Sequence, residues 1–168
     1  MIMIRKAVKK DLSRIIEITK SCAAFMISQN IFQWNEYYPN IETFENDVQN
    51  ENLYVLELNQ KIIGCIVISS FMDDFYSKVK WTTPNDKNLY LHRLAIDPDY
   101  QKKGYAKQLM NFSFDFASKN NIVSIRLDTF SGNPYNNIFY AKLGFKKLGK
   151  IYFRKQSDKP FYCFEKIM

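Results

Sequence analysis

The run Gln101-Lys102-Lys103-Gly104-Tyr105-Ala106 stands where an apolar strand over 89–97 has ended at Pro98 and a helix begins. Residues of these types at a helix start make an anion cradle. The first amides of a helix have no intrahelical acceptor, the helix dipole favours negative charge there, and Gly104 and Ala106 keep side-chain bulk away from the main chain. Lys102, Lys103 and Lys107 add positive charge to the same spot. The run lacks the Gly-Lys-Ser/Thr ending of a nucleotide-binding P-loop and has too few glycines for a dinucleotide fingerprint. Two other side-chain types are equipped for proton transfer. A tyrosine, of which the chain has 11, has an ordinary pKa of about 10 and carries a proton at neutral pH that it can donate, and His92, the one histidine of the chain, titrates near about 6.5 when unperturbed.

The elements that must position these groups follow from capping and periodicity. A strand is expected over 3–8, and Asp11 is expected to cap a helix whose apolar positions Leu12, Ile15, Ile16, Thr19, Cys22 and Met26 follow helical spacing. A loop over 27–40 leads to Asn40, which introduces a second helix to about residue 50. Strands over 53–58 and 61–70 form a hairpin across Asn59-Gln60, and a long loop covers 71–87. After the 89–97 strand come a helix over 104–119, a strand over 123–130, a short helix over 134–143, and closing strands over 145–155 and 161–167. The short helix has a cap at Asn133, a proline at its first position and a closing glycine at Gly144. Strict alternation places Tyr90, His92 and Leu94 on one face of the 89–97 strand, and Leu91, Arg93 and Ala95 on the other.

With 168 residues, 46% of them hydrophobic and 24% charged, the chain can bury a proper core as a single domain over 1–168. No apolar run is long enough to span a bilayer, and the start lacks the pattern of a signal peptide, so a cytoplasmic location is expected. Cys22, Cys65 and Cys163 are odd in number and set among apolar residues, which reads as reduced core cysteines. A single histidine argues against a zinc site, and no metal is expected.

The cradle, followed at the right separation by Asn133, Tyr140 and Gly144-Phe145, resembles the GNAT N-acetyltransferase superfamily. The element order βααβββαβαββ extends that resemblance over nearly the whole chain. It implies an α/β (α+β) fold with a mixed, mostly antiparallel central sheet of about seven strands flanked by about four helices. It implies acetyl-CoA as the acyl donor, with its pyrophosphate on Gln101, Lys102, Lys103, Gly104, Tyr105 and Ala106. The main chain of Leu94, Ala95 and Ile96 would bond the pantetheine arm, and Asn133 would lie near the coenzyme. The reaction implied is direct acyl transfer to a primary amine, with Tyr140 as general acid toward the departing thiolate. His92, on the strand where some members carry a base, is a water-mediated base or a satisfied structural residue with equal weight. Asn136 departs from the pattern, since many members carry alanine there.

Charge is polarised along the chain. Residues 101–168 hold 13 Lys+Arg against 4 Asp+Glu, a net of +9, whereas residues 21–60 hold no Lys or Arg and 6 acidic residues. The basic half suits a ligand with several phosphates. The resemblance implies that the region between the first two helices walls the acceptor site, so Gln33, Trp34, Tyr37 and Tyr38 of the acidic segment, with Tyr90 beside His92, are expected to line it and to favour a cationic amine, small or peptidic. For Glu42, Glu45 and their helical neighbours a solvated face is the better reading. The overall charge of +7 raises nucleic-acid binding as another class, but no nucleic-acid-binding signature accompanies it. A non-catalytic acyl-CoA-binding regulatory module is the alternative to an enzyme. No membrane partner is expected, and a homodimer is compatible with the sequence.

Overall fold

A computed structural model describes residues 1–168. Seven strands, β1 (Ile2–Lys6), β2 (Leu53–Leu58), β3 (Lys61–Ser69), β4 (Asn88–Ile96), β5 (Ser124–Phe130), β6 (Lys146–Ile151) and β7 (Phe161–Ile167), form one sheet in the order β1-β2-β3-β4-β5-β7-β6. Every neighbouring pair is antiparallel except β4 and β5. Four helices cover the sheet: α1 (Leu12–Ser28), α2 (Ile41–Gln49), α3 (Tyr105–Lys119) and α4 (Pro134–Lys142).

Local chemistry accounts for most element boundaries. The side chain of Asn40 accepts from the Thr43 amide at 2.9 Å and starts α2. The hairpin turn between β2 and β3 holds Asn59 and Gln60 at φ 50° and 68°, the paired left-handed values that match strand twist. Gly144, at φ 88°, closes α4. Asp11 departs from expectation. It is itself in helical conformation and does not cap α1. Its carboxylate accepts from the Val8 amide at 2.9 Å and pairs with Arg5 at 2.7 Å, so it closes the turn before the helix instead.

α1 and α2 pack on one face of the sheet, where Ile15, Ile18 and Phe44 are fully enclosed with Val55 and Cys65. α3 and α4 cover the other face, where Leu109, Met110 and Tyr140 meet Ile66, Leu91 and Leu127. Each enclosed aliphatic side chain contributes about 1.5–3 kcal/mol. A third cluster, including Tyr76, Tyr90, Phe130 and Phe161, lies under the 70–87 connection. That connection is pinned by a fully enclosed ion pair between Arg126 and Glu165. Arg126 donates to the Thr83 carbonyl at 2.7 Å, and Glu165 accepts from the Thr82 amide at 2.7 Å.

One irregularity decides where the site forms. Between Cys65 and Val67 the β3–β4 register slips, so Arg93 and Leu94 face a single residue of β3, and Arg93 adopts φ 51°. This bulge re-phases the strand. After it, Leu94 and Ile96 face the α3 side with Leu91, while Arg93 reaches Asp47 of α2 on the same side as Ala95. The strict alternation expected from the sequence, with Leu94 beside His92 and Arg93 beside Leu91, does not survive the bulge.

Candidate active site

β4 and β5 pair only from Asn88–Tyr90 against Ser124–Arg126. Beyond those residues they diverge, and two hollows occupy the gap. A groove of about 410 Å³ is lined by the helix start, including Lys102, Gly104, Ala106 and Lys107. A cavity of about 710 Å³ lies on the other side, lined by His92, Arg93, Asp73, Tyr76 and Asp128 among others. Gln33, Trp34, Leu94, Asn136 and Tyr140 line both, so the two hollows meet there.

The groove has the features of an anion site. The consecutive amides from Lys102 to Lys107 find no acceptor within the protein. Lys102 and Gly104 both take left-handed backbone, at φ 61° and 85°, which curves these amides into a nest. A Cβ on Gly104 would meet no atom within 4 Å, so the space before the helix start is free. A pyrophosphate fits such a cradle through main-chain donors and the flanking lysines.

Several expected ligand residues have other work. Lys103 is turned back, donating to the Asp99 carbonyl at 2.9 Å and lying over the Tyr100 ring. The Gln101 side chain donates to the Ile96 carbonyl at 3.0 Å, which locks the cradle onto the end of β4. Asn133 accepts from the Asn136 amide at 3.1 Å as the cap of α4 and donates to Gln33 at 3.0 Å, so both its polar atoms hold protein. The Asp97 amide bonds the Ile63 carbonyl at 2.8 Å. By antiparallel alternation the main chain of Ala95 is then committed to β3, while Leu94 and Ile96 turn theirs to the gap. The Ile96 carbonyl accepts from Gln101 and from Cys22 Sγ, which leaves its amide for a ligand. Tyr105 and Ala106 line the groove.

On the acceptor side the sequence expectations divide. Gln33 and Trp34 reach the site, and Tyr38 lines the cavity while accepting from Arg93 at 3.0 Å. Tyr37 is 75% exposed and lines neither hollow. Tyr90 is enclosed, and its hydroxyl accepts from Arg126 at 3.1 Å. It packs against Tyr76 as part of the core and does not line the cavity. Of the acidic residues in 21–60, only Asp47 lines the cavity, and Arg93 holds it through two hydrogen bonds at 2.7 and 2.8 Å. The other carboxylates stand away from it.

The titratable groups of the cavity are strongly perturbed. Burial, aided by the neighbouring Arg93 guanidinium, drives the His92 pKa down to about 3. Its ring is therefore neutral across the physiological range. Burial raises Asp128 to about 6; Asp73 adds to the rise, while a hydrogen bond from Tyr76 and the charge of Arg93 oppose it. Burial, and secondarily Asp128, push Tyr140 above the usual tyrosine range. The Tyr140 hydroxyl has no hydrogen-bond partner, and no enclosed polar side-chain atom in the protein lacks one, so this hydroxyl opens to the hollows that Tyr140 lines. Sequence reasoning does not single out Asp128 or Tyr76. The signal for Asp128 is faint: Arg126 and Asp128 are the charged residues of β5, at alternate positions.

These features agree with what the chain is similar to. Residues 13–145 match the Acetyltransferase (GNAT) family, and the chain belongs to it. Acetyl-CoA is the acyl donor of that family. A candidate acetyltransferase of Staphylococcus aureus Mu50 is 30% identical, with a TM-score of 0.76 over 98% of both chains. The PaiA N-acetyltransferase of Thermoplasma acidophilum, solved in complex with coenzyme A, shares the fold at 21% identity and a TM-score of 0.75, over 100% of this chain and 99% of that one. Human N-acetyltransferase 8 is 29% identical over 100 residues, which span 60% of this chain and 40% of the human protein.

Proposed function

We propose that this protein transfers the acetyl group of acetyl-CoA to a primary amine by direct attack, with Asp128 as the base and Tyr140 as the acid. The observation that carries this reading is Tyr140 at the place where the anion groove meets the second cavity, with Asp128 in the wall of that cavity and near enough for its charge to act on Tyr140. Lys102, Lys107 and the bare amides would hold the pyrophosphate, with the pantetheine along the gap edge of Leu94 and Ile96. The amine nitrogen attacks the thioester carbonyl carbon. As the C–N bond forms the nitrogen becomes strongly acidic, and its proton passes to the Asp128 carboxylate. The C–S bond breaks and the sulfur takes the Tyr140 proton. The two transfers support one another. The Asp128 charge is part of what raises Tyr140, so neutralising Asp128 makes Tyr140 a stronger acid as the sulfur departs. His92, with its pKa near 3, is assigned to the cavity wall and not to proton abstraction.

The acceptor reading follows from charge. Asp73 and Asp128 face the cavity together with the rings of Trp34, Tyr38, Phe71 and Tyr76, a surface that suits an ammonium group. The Arg93 guanidinium, the cation of this cavity, is committed to Asp47 and Tyr38. Nothing is left to pair with an acceptor carboxylate, which favours simple alkylamines and peptide amines over free amino acids. Thiol release from acetyl-CoA, followed across a panel of alkylamines, peptides and amino acids, tests the reading. Amine-dependent release with a preference for cationic acceptors is expected. Binding of acetyl-CoA without release for any amine would instead identify a regulatory acyl-CoA module.

A further inference from the structure

Gln33 belongs to the loop between α1 and α2, yet its side chain is fixed by residues about a hundred positions away. Asn133 Nδ2 donates to Gln33 Oε1 at 3.0 Å, and the Asn136 and Thr129 side chains approach the same oxygen at 3.5 Å. The orientation of the amide is forced step by step. The Asn136 main-chain N–H can only donate, and it donates to Asn133 Oδ1. Asn133 therefore presents its NH₂ to Gln33, and Gln33 must present its oxygen in return. Its Nε2 faces the other way. That nitrogen has no partner in the protein, and because no enclosed polar side-chain atom is unpartnered, it is an accessible donor on a residue that lines both hollows.

Two reacting groups can meet there: the amine nucleophile and the acyl oxygen. A donor aimed at the amine would occupy the lone pair needed for attack. The same donor aimed at the thioester oxygen stabilises the negative charge that gathers on it as the C–N bond forms. Resting on the acetyltransfer reading above, we propose that Gln33 is a catalytic residue whose Nε2 polarises the acyl carbonyl, and that Asn133 and Asn136 are the positioning residues that fix its flip. This gives Asn136 a purpose, since an alanine there would remove one of the two amides facing Gln33 Oε1.

The test separates the two halves of the Gln33 amide. Gln33→Glu keeps an oxygen for Asn133 and Asn136 but turns the donor into an acceptor, whereas Gln33→Met removes both. With acetyl-CoA labelled with ¹³C at the thioester carbonyl, isotope-edited infrared spectroscopy of the bound complex should show a carbonyl band displaced to lower frequency in the wild type. The displacement should shrink in both variants while coenzyme A affinity stays within a few-fold. Turnover should fall by about 10²- to 10³-fold in Gln33→Glu, the usual loss of one oxyanion donor. A structural role would be rescued by glutamate. An undisplaced wild-type band, an unchanged band in both folded variants, or full turnover in Gln33→Glu would overturn the proposal. The band is read without any amine, so failure of the wild type to acetylate amines would refute the acetyltransfer reading separately.

Discussion

Replacing Asp128 with asparagine tests the chemistry and the electrostatics in one variant. The carboxyl pKa rises from its ordinary 3.8 to about 6, first because burial removes water from the carboxylate. If Asp128 is the base, kcat/KM should climb about tenfold per pH unit on the acid side and level off above pH 6. Its neighbours predict how that limb moves. Asp73→Asn removes a like charge and should shift it toward lower pH; Tyr76→Phe removes a hydrogen bond to the carboxylate and should shift it upward. Asp128→Asn should lose about 10²- to 10⁴-fold in rate, and the limb with it. Stability should respond in the opposite sense. A carboxyl whose folded pKa is raised contributes stability that is full below its unfolded value and lost as pH rises through its folded value. A rise from 3.8 to about 6 corresponds to roughly 3 kcal/mol. The wild type should therefore lose most of that relative to Asp128→Asn between pH 4 and pH 7, measured by urea denaturation. A limb near pH 6 that persists in Asp128→Asn, or that disappears in His92→Gln, would refute the assignment.

Other outcomes follow from the same contacts. Tyr140→Phe retains the ring packed against Phe139, Phe145 and Phe164, so it should fold and bind acetyl-CoA normally while turnover drops by about 10²- to 10⁴-fold; full activity would assign Tyr140 to packing. Gly104→Val puts a branched side chain on a residue at φ 85°, at a cost of at least about 1–2 kcal/mol of backbone strain, and points it into the cradle; calorimetry should show coenzyme A binding abolished. Trp34→Ala should not act on the amine alone, because Trp34 is 8% exposed and lines both hollows. It should cost about 3–5 kcal/mol of stability and raise the KM of both substrates. Glu165→Ala leaves Arg126 enclosed without its partner and should cost about 3–5 kcal/mol in denaturant melts, whereas a loss below about 1 kcal/mol would show that the pair is dispensable.

What the sequence determined by itself lies within a few residues of its own cause. The Asn40 cap, the Asn59-Gln60 turn, the helix start at Gly104 and the stop at Gly144 are short-range signals, and each forms where its local chemistry places it. The element order and the cradle follow from them. The acidic stretch from 21 to 60 was the weaker guide, because net charge along a segment does not say which carboxylates face inward. Only the folded chain decided that Asp47 does and that Arg93 then holds it. Tertiary contacts also set the phase of β4, since a bulge depends on the partner strand and cannot be read from alternation. Tyr90 was withdrawn into the core by Arg126, 36 residues away. Asp128 acquired its proton affinity from burial, against a hydrogen bond from Tyr76, 52 residues away, and Gln33 its orientation from Asn133, 100 residues away. Caps, turns and helix starts are fixed by neighbours in the chain, whereas a pKa or an amide's flip is fixed by neighbours in space, and those exist only once the sheet has closed.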